Sequence, residues 1–421
     1  MVKPYSVLMG KAVRYIARLR GGGSALPGLF VEKIDKNFVK DTLAQLPHGV
    51  VLISGTNGKT TTTKMVVELL EGQGLKVFTN RTGSNFVRGV AAALLGEVTA
   101  RGKLHVDIAV LELDEAHAVH FVNQIPPRYS LLLNVMRDQL DRFGEIDTTA
   151  SMLEHIAKAT TDTVVINRED PRLRRIAAHL QKNVSYFGLD DSLRATFPSD
   201  DDMHAKTIGS TKRPDADVIL QSIGDQSTFI ISGKSLSTHL KLKGIYNIYN
   251  AAAALALTRA IVGKSLDEQK LLNSVADVMP AFGRGETVTV HGQPCELVLV
   301  KNPSGFRLSL HSFDPANTAT MIVINDNYAD GRDMSWLWDV SFESLRKNGV
   351  SEVSGVRAYD MALRLDYDDV SVGHVDTDIK KSLHKFLSDH RETPKRIYCT
   401  YTAMLALRRE LSKITRVEQV S

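Results

Sequence analysis

Two apolar patterns alternate along the chain. Short runs of consecutive aliphatic and β-branched residues recur as "VVLIS" (50–54), "KVFTN" (76–80), "IAVLELD" (108–114), "SLLLN" (130–134) and "TVVIN" (163–167). Such runs predict strands buried on both faces. Between them lie segments with apolar residues at helical spacing, among them "NFVRGVAAALLGE" (85–97) and "ASMLEHIAKAT" (150–160). This alternation predicts an α/β fold with a parallel sheet, covering helices, and ligands at the carboxyl ends of the strands. Asp191 to Asp217 is polar and rich in Asp, Ser, Lys and Pro, so it predicts an insertion or loop. Two β-like runs follow, "DVILQSI" and "STFIISG", and then an alanine-rich helix, "NIYNAAAALALTRAIVG". After "FGRGE" a second α/β series begins with "TATMIVIND", "SFESLRKNG", "KKSLHKFLSDH" and "RIYCTYTAMLALRRELSKI". Leu383, Phe386 and Leu387 share one helical face there. A domain boundary is expected at Phe282–Glu286.

The amino-terminal stretch "MVKPYSVLMGKAVRYIARLRGGG" mixes apolar with basic residues. Read as a helix, it sets Val7, Val13, Ile16 and Leu19 among Lys11, Arg14, Arg18 and Arg20. Two readings stay open: a helix packed on its own protein, or weak attachment to an anionic membrane surface. The pattern is not that of a signal peptide, and no apolar run approaches the length of a membrane span. The 421 residues predict two or three domains. A net charge of +4 is far below what a dedicated nucleic-acid binder concentrates. The two cysteines, Cys295 and Cys399, match no metal spacing. They sit in strand-like runs without a nucleophile elbow, as buried structural thiols do. A reducing cytoplasm fits this usage.

The chemistry is concentrated in "VLISGTNGKTTTTKMVVELL" (51–70). The usual G-x-x-x-x-G-K-[ST] spacing fails, because Ile53 occupies the first glycine position. What remains is a shortened loop of Gly55, Thr56, Asn57, Gly58, Lys59, Thr60 and Thr61 between a strand and a helix. Its glycines let backbone approach an anion, and the amides and dipole at the helix start favour phosphate. Lys59 would neutralise the β/γ-phosphates, and Thr60 or Thr61 would offer a hydroxyl to Mg²⁺. An ordinary strand-to-helix turn would not need the lysine and the threonine run. Glu112, Asp114 and Glu115 lie in "VLELDEAH" at the end of an apolar strand. Asp114, and with it Glu115, reads as a helix N-cap or first-turn acid. Glu112 lies inside the strand pattern, where a lone carboxylate needs a partner, so it is the metal candidate. Asn134 either contacts nucleotide or opens a turn. Asn247 and Asn250 either face one ligand or cap the helix, and capping accounts well for just one of them.

The segments "GTNGKTTT", "NVMRDQLDRFGE", "GIYNIYNAAAA", "GRGE" and "KNPSG" occur in the order seen in the Mur ligase superfamily, which the chain resembles over most of its length. That superfamily activates a carboxylate with ATP as an acyl phosphate, which an amine then attacks. The resemblance implies a Mur ligase-like central ATPase domain over 49–282, an amino-terminal helical segment over 1–48, and a carboxyl-terminal Rossmann-like α/β domain over 283–421. It implies that Lys59 and Thr60 hold triphosphate and Mg²⁺, that Glu112 ligates the metal, and that Asn134, Asn247, Asn250 and Arg284 contact ATP. About fifty residues precede the loop, too few for the UDP-sugar domain of amino-acid-adding Mur ligases. "LVKNPSGF", "INDNYADGRDMSWLWDVSFE" and the start "LPGLFVEKIDKNFVKDTLAQL" are similar to the MurT family, over nearly the whole chain.

Members of that family work with GatD, a glutaminase of the class I amidotransferase kind. The pair consumes ATP, Mg²⁺ and glutamine to amidate the D-glutamate α-carboxyl in the lipid II stem peptide. By this resemblance the chain lacks the ammonia-releasing half. An aspartate completes the partner's Cys-His pair; the matching position is Asp333 in "DGRDMSW", with Asp330 as the neighbour it could be confused with and turn capping as the alternative. Trp336 and Trp338 beyond it suit either an interface or burial in their own domain. Some family members carry a four-cysteine zinc ribbon. Asp191–Asp217 has no cysteine, so no structural zinc is expected. The carbamylated lysine of conventional Mur ligases falls near Glu154, with Lys158 as the alternative, and Gln139 replaces the usual metal-binding histidine. Two other readings stand beside this one. A free-standing Mur or folylpolyglutamate-type ligase would add an amino acid without a glutaminase, and a scaffold would bind ATP without chemistry.

Overall fold

The computed structural model describes residues 2–19, 26–80, 87–137, 146–197, 213–242, 244–279, 284–312 and 315–415. The chain divides into two compact units. One spans Met1–Val135, Asp147–Leu242 and Asn247–Val278; the other is built mainly from Met279–Ser421. The amino-terminal helices thus belong to the first unit, and the main stretch of the second opens just before the expected boundary segment.

In the first unit, α1 (Pro4–Leu19), α2 (Leu26–Ile34) and α3 (Phe38–Leu43) precede an alternating series. That series runs β1 (Val50–Ser54), α4 (Lys59–Gly72), β2 (Val77–Thr79), α5 (Val87–Glu97), β3 (Ile108–Glu112), α6 (Glu115–Gln124), β4 (Tyr129–Leu132), α7 (Ile146–Ala159), β5 (Thr163–Asn167), α8 (Pro171–Ala178) and β6 (Asn183–Leu189). Three more strands, β7 (Val218–Ser222), β8 (Ser227–Ile231) and β9 (Lys234–Thr238), lead to α9 (Ile245–Val262) and α10 (Glu268–Asp277). The strand order is β2-β3-β1-β4-β5-β6-β7-β8-β9. Neighbours are parallel as far as β7, and β8 and β9 then pair antiparallel. Every residue of β1, β3 and β4 is buried, as strands covered by helices on both faces must be. β7 and β8 instead alternate buried with half-buried positions, the mark of a sheet with one face toward water. Ala251 to Leu257 of α9 are all buried, and the small alanines let this all-apolar helix lie close to its neighbours. β3 and β4 flank β1, so strand order reverses there and opens a crevice at the carboxyl end of β1.

The second unit holds β10 (Arg284–Val290), β11 (Gln293–Leu299), α11 (Pro303–Ser312), β12 (Ala319–Val323), β13 (Val350–Ser354), α12 (Ala358–Tyr367), β14 (Val372–Asp376), α13 (Ile379–Asp389), β15 (Lys395–Cys399) and α14 (Tyr401–Leu411). Its sheet runs β10-β11-β15-β12-β13-β14, antiparallel at β10/β11 and parallel elsewhere. One core cluster gathers Phe306, Trp336, Phe342 and Tyr398; another gathers Leu383, Phe386, Met404 and Leu407. "SFESLRKNG" holds a 3₁₀ turn, Glu343–Leu345.

Candidate active site

Gly55 leaves β1 with φ +135°, and a Cβ there would lie 3.0 Å from the Asn134 amide nitrogen. Gly58 caps α4 with φ +90°, in the left-handed region that favours glycine. A Cβ on Gly58 would come 2.8 Å from Oδ1 of Asn250, so Asn250 abuts the turn itself. Asn134, two residues past the end of β4, clamps the same turn. Its Oδ1 accepts from the Asn57 N–H at 2.9 Å, its Nδ2 donates to the Asn57 carbonyl at 3.0 Å, and its own carbonyl accepts from Thr56 N–H at 3.1 Å. The Asn134 amide group therefore works on loop backbone. Thr61 is buried in the first turn of α4.

Lys59 is buried and donates to the Gly55 carbonyl at 2.6 Å. Its Nζ also lies 3.0 Å from Glu115 Oε1, with the two side chains 8% and 3% exposed. Burial pushes the Glu115 carboxyl up; the Lys59 charge works against this, and Asp114 beside it adds to the rise. Asp114 holds the N-cap position of α6 in extended geometry but makes no side-chain cap bond. Glu112 ends β3, and its Oε1 accepts from the Thr60 hydroxyl at 2.8 Å. Asn80 anchors the Glu112 backbone from both sides, accepting from its N–H at 3.1 Å and donating to its carbonyl at 2.8 Å. The carboxylate is thus aimed by strand and by side chain at the start of α4.

A second layer supports the crevice from the ends of β5 and β6. Asn167 donates to the Leu133 carbonyl at 2.9 Å and accepts from the buried Tyr249 hydroxyl at 2.5 Å. Asp170 caps α8, accepting from Arg172 and Leu173 N–H, and also accepts from Val135 N–H at 2.7 Å, one residue past Asn134. Burial outweighs these three amide bonds and the Arg172 charge, and pushes the Asp170 carboxyl up to about 6. Glu169 pairs with Arg168 at 3.0 Å and with Arg213 at 2.7 Å. Sequence reasoning singled out none of Asn80, Asn167, Glu169 or Asp170. The Asp-Pro step at 170–171 carried a helix-start signal, but its bond to Val135 spans a distance no local pattern encodes.

Asn247 lies near the start of α9 and is half-buried. Arg284 opens β10 in the second unit, with its backbone opposite Val298. Glu154 and Lys158 pair with each other at 2.6 Å on the outer part of α7. Gln139 and most of the polar insertion, 198–212, lie outside the described residues. No group of three or more His, Cys, Asp or Glu side chains suited to a metal occurs among the described residues. Thr60 and Glu112 nevertheless form a hard-oxygen pair of the kind Mg²⁺ accepts. The turn beside them is a backbone cradle that side chains at Gly55 and Gly58 would obstruct. The residues present fit a magnesium nucleotide.

In the second unit, Asp330 is buried and fully engaged. It accepts from Thr402 N–H at 2.7 Å, from the Thr402 hydroxyl at 2.5 Å and from Asn327 N–H at 3.1 Å. Asp333 is half-buried and accepts from Ser335 N–H at 2.9 Å, at the start of a 3₁₀ turn. Trp336 is buried, whereas Trp338 is exposed and meets exposed Tyr367 edge-on, with centroids 5.0 Å apart. Cys295 and Cys399 are both buried and free. Burial pushes the Cys295 thiol up to about 12 and Cys399 up as well, far from nucleophilic thiolate.

Residues 53–258 match the model of the Mur ligase middle domain, and 299–404 match that of the MurT ligase C-terminal region. The chain is 32% identical to a lipid II isoglutaminyl synthase (glutamine-hydrolyzing) subunit MurT from Streptococcus pneumoniae, over 96% of each chain. Among solved structures it is similar to a pseudomurein peptide ligase type C from Methanothermus fervidus, at a TM-score of 0.70 and 18% identity over 90% of this chain and 81% of that one. It is also similar to a MurF ligase from Thermotoga maritima in complex with ADP, at a TM-score of 0.67 and 17% identity over 90% and 83%. No described helix is long and apolar enough to cross a membrane.

Proposed function

The chain belongs to the MurT family of Mur ligase-like synthetase subunits, and on that premise we propose that it carries out the ATP-dependent amidation of lipid II. The acceptor is the α-carboxyl of D-glutamate in the stem peptide, and the product is D-isoglutamine. Ammonia comes from a partner glutaminase of the GatD type, and the work is done at the inner face of the membrane that carries lipid II. ATP is the substrate that turns the carboxylate into an acyl phosphate, and Mg²⁺, when bound, neutralises phosphate charge.

What this chain supplies is positioning and charge. The Gly55–Thr61 turn and the start of α4 present backbone N–H groups to phosphate. Lys59 exchanges its contacts with Gly55 and Glu115 for phosphate oxygens. Thr60 and Glu112 would hold the metal. Asn134 keeps the turn open, and Asn250 lines it; Asn247 and Arg284 are assigned to nucleotide contact as well. Asp333 orients and charges the partner's histidine from outside this chain's own ATP site. Asp330, with both oxygens engaged, is the poorer choice. Two buried thiols leave this chain without an ammonia-releasing nucleophile of its own among the described residues.

The Lys59–Thr60–Glu112 arrangement at the crevice beside β1 is the observation that carries the reading. Its test is the purified chain with a candidate glutaminase, ATP, Mg²⁺ and lipid II, read by mass analysis of the stem peptide. Amide formation with glutamine is expected, and Asp333→Asn should abolish it while sparing amidation from added ammonia. Equal loss with both nitrogen sources would put Asp333 in the synthetase site. Turnover of the chain alone with an amino acid would favour the free-standing ligase.

A further inference from the structure

The two sides of α1 meet different surroundings. One side is locked into the protein: Ser6, Val7, Gly10 and Ala17 are buried. The Ser6 hydroxyl donates to Asp35 at 3.1 Å, and a Cβ on Gly10 would fall 2.4 Å from Cγ2 of Val31 on α2. Contacts this close fix the roll of the helix. The opposite side presents Tyr5, Leu8, Met9, Tyr15 and Ile16, each between 46 and 67% exposed. Exposed Ala12 lies among them. At the α-helical repeat these positions share an arc of about 120°. A continuous apolar stripe in water marks an interaction surface.

Charge identifies the partner. α1 contains Lys11, Arg14 and Arg18 and no acidic residue, and Lys3 precedes it. Lys11, at one edge of the stripe, donates to the Val98 carbonyl at 2.5 Å, and Arg14 lies beyond it against Gly96 of α5. On α2, Glu32 is held by Arg88 at 3.0 Å. Tyr5 and Tyr15 each offer an apolar ring with a polar tip, the residue type suited to a headgroup layer. We propose that the exposed stripe of α1 docks onto the surface of an anionic lipid bilayer, with its apolar side chains entering the headgroup region. A second copy on the same stripe would oppose two cationic, acid-free helices. Docking would hold the chain in the layer where a lipid-linked acceptor is anchored; that consequence rests on the function proposed above, whereas docking itself does not.

The test uses full-length protein and vesicles without lipid II, so its outcome is independent of amidation. Several-fold more protein should float with vesicles of phosphatidylcholine and phosphatidylglycerol than with phosphatidylcholine alone, and added salt should reduce the difference. Leu8→Glu combined with Ile16→Glu should abolish flotation with circular dichroism unchanged. In case that pair disturbs folding, Tyr15→Trp offers a second readout, a blue shift of its added fluorescence on anionic vesicles. Absence of both flotation and shift, or equal binding to both vesicle types, would overturn the proposal. A wild-type dimer that the double substitution turns into a monomer, without vesicle binding, would assign the stripe to a second copy.

Discussion

Lys59 and Thr60 stood out in the sequence because a lysine after a glycine turn, followed by hydroxyls, suits phosphate, and the structure sets both at the start of α4. Their partners were legible unequally. Glu112 stood out because a carboxylate inside an apolar strand needs a partner, and Thr60 is bonded to it. Glu115 was expected as a first-turn acid and does open α6, but it also faces Lys59 across 56 residues of sequence. Asp170 was missed altogether, although it ties the residue after Asn134 to α8. Its carboxyl is raised from 3.8 to about 6, so the folded state holds a proton more tightly than the unfolded chain. The stability this group contributes is therefore full below its unfolded value and is lost as pH climbs through about 6. Asp170→Asn removes the titration. The stability margin of the native protein over this variant, measured by urea denaturation, should shrink by on the order of 1 kcal/mol between pH 5 and 7.5. A margin that grows with pH would mean that the three amide bonds, not burial, govern the group.

At the level of elements, the strands read best were those built on an unbroken run of apolar residues. β1, β3 and β5 lie within the quoted runs, and β4 starts one residue before its run, because helices cover both of their faces, which demands continuous apolar sequence. β13, "VSEVS", and β14, "VGHVD", escaped notice because a polar side chain interrupts each; Glu352 and His374 satisfy one another across that pair at 2.7 Å. α12 was missed too: it buries Met361 and Leu365 but leaves Tyr359, Leu363 and Tyr367 exposed, which blurs its periodicity. The turn into α4 is the element on which the proposed function depends most, and Gly58 is its hinge. Gly58→Ala must hold a left-handed backbone at about 1–2 kcal/mol and press on Asn250. Calorimetric titration with a non-hydrolysable ATP analogue should show affinity falling tenfold or more, while the melting temperature drops by a few degrees. Unaltered affinity would show that nucleotide does not use this turn.

The whole molecule is two sheets, each with its own helices and core. The fresh strand pattern after "FGRGE" put the expected boundary at Phe282–Glu286, and the main stretch of the second unit begins at Met279. The run around Cys295 read as strand-like and is β11, but β10 and its antiparallel pairing with β11 were not foreseen, because their residues mix Thr, Glu and Gln with valines. Two cores imply separable unfolding. Scanning calorimetry should resolve two transitions rather than the single one of a small domain. The turn, Glu112 and Asn134 all lie in the first unit. A non-hydrolysable ATP analogue with Mg²⁺ should therefore raise the first unit's transition, by about 2.7 kcal/mol of stability at a hundredfold excess over Kd, and move the other less, through the Arg284 contact alone. Lys59→Met should erase that shift without merging the transitions. If nucleotide raised both equally, the units would unfold as one body, and the ATP site could not be assigned to the first sheet by stability alone. If it raised only the transition that a carboxyl-terminal substitution such as Phe306→Ala also moves, the phosphate turn at Gly55–Thr61 would not be the nucleotide site.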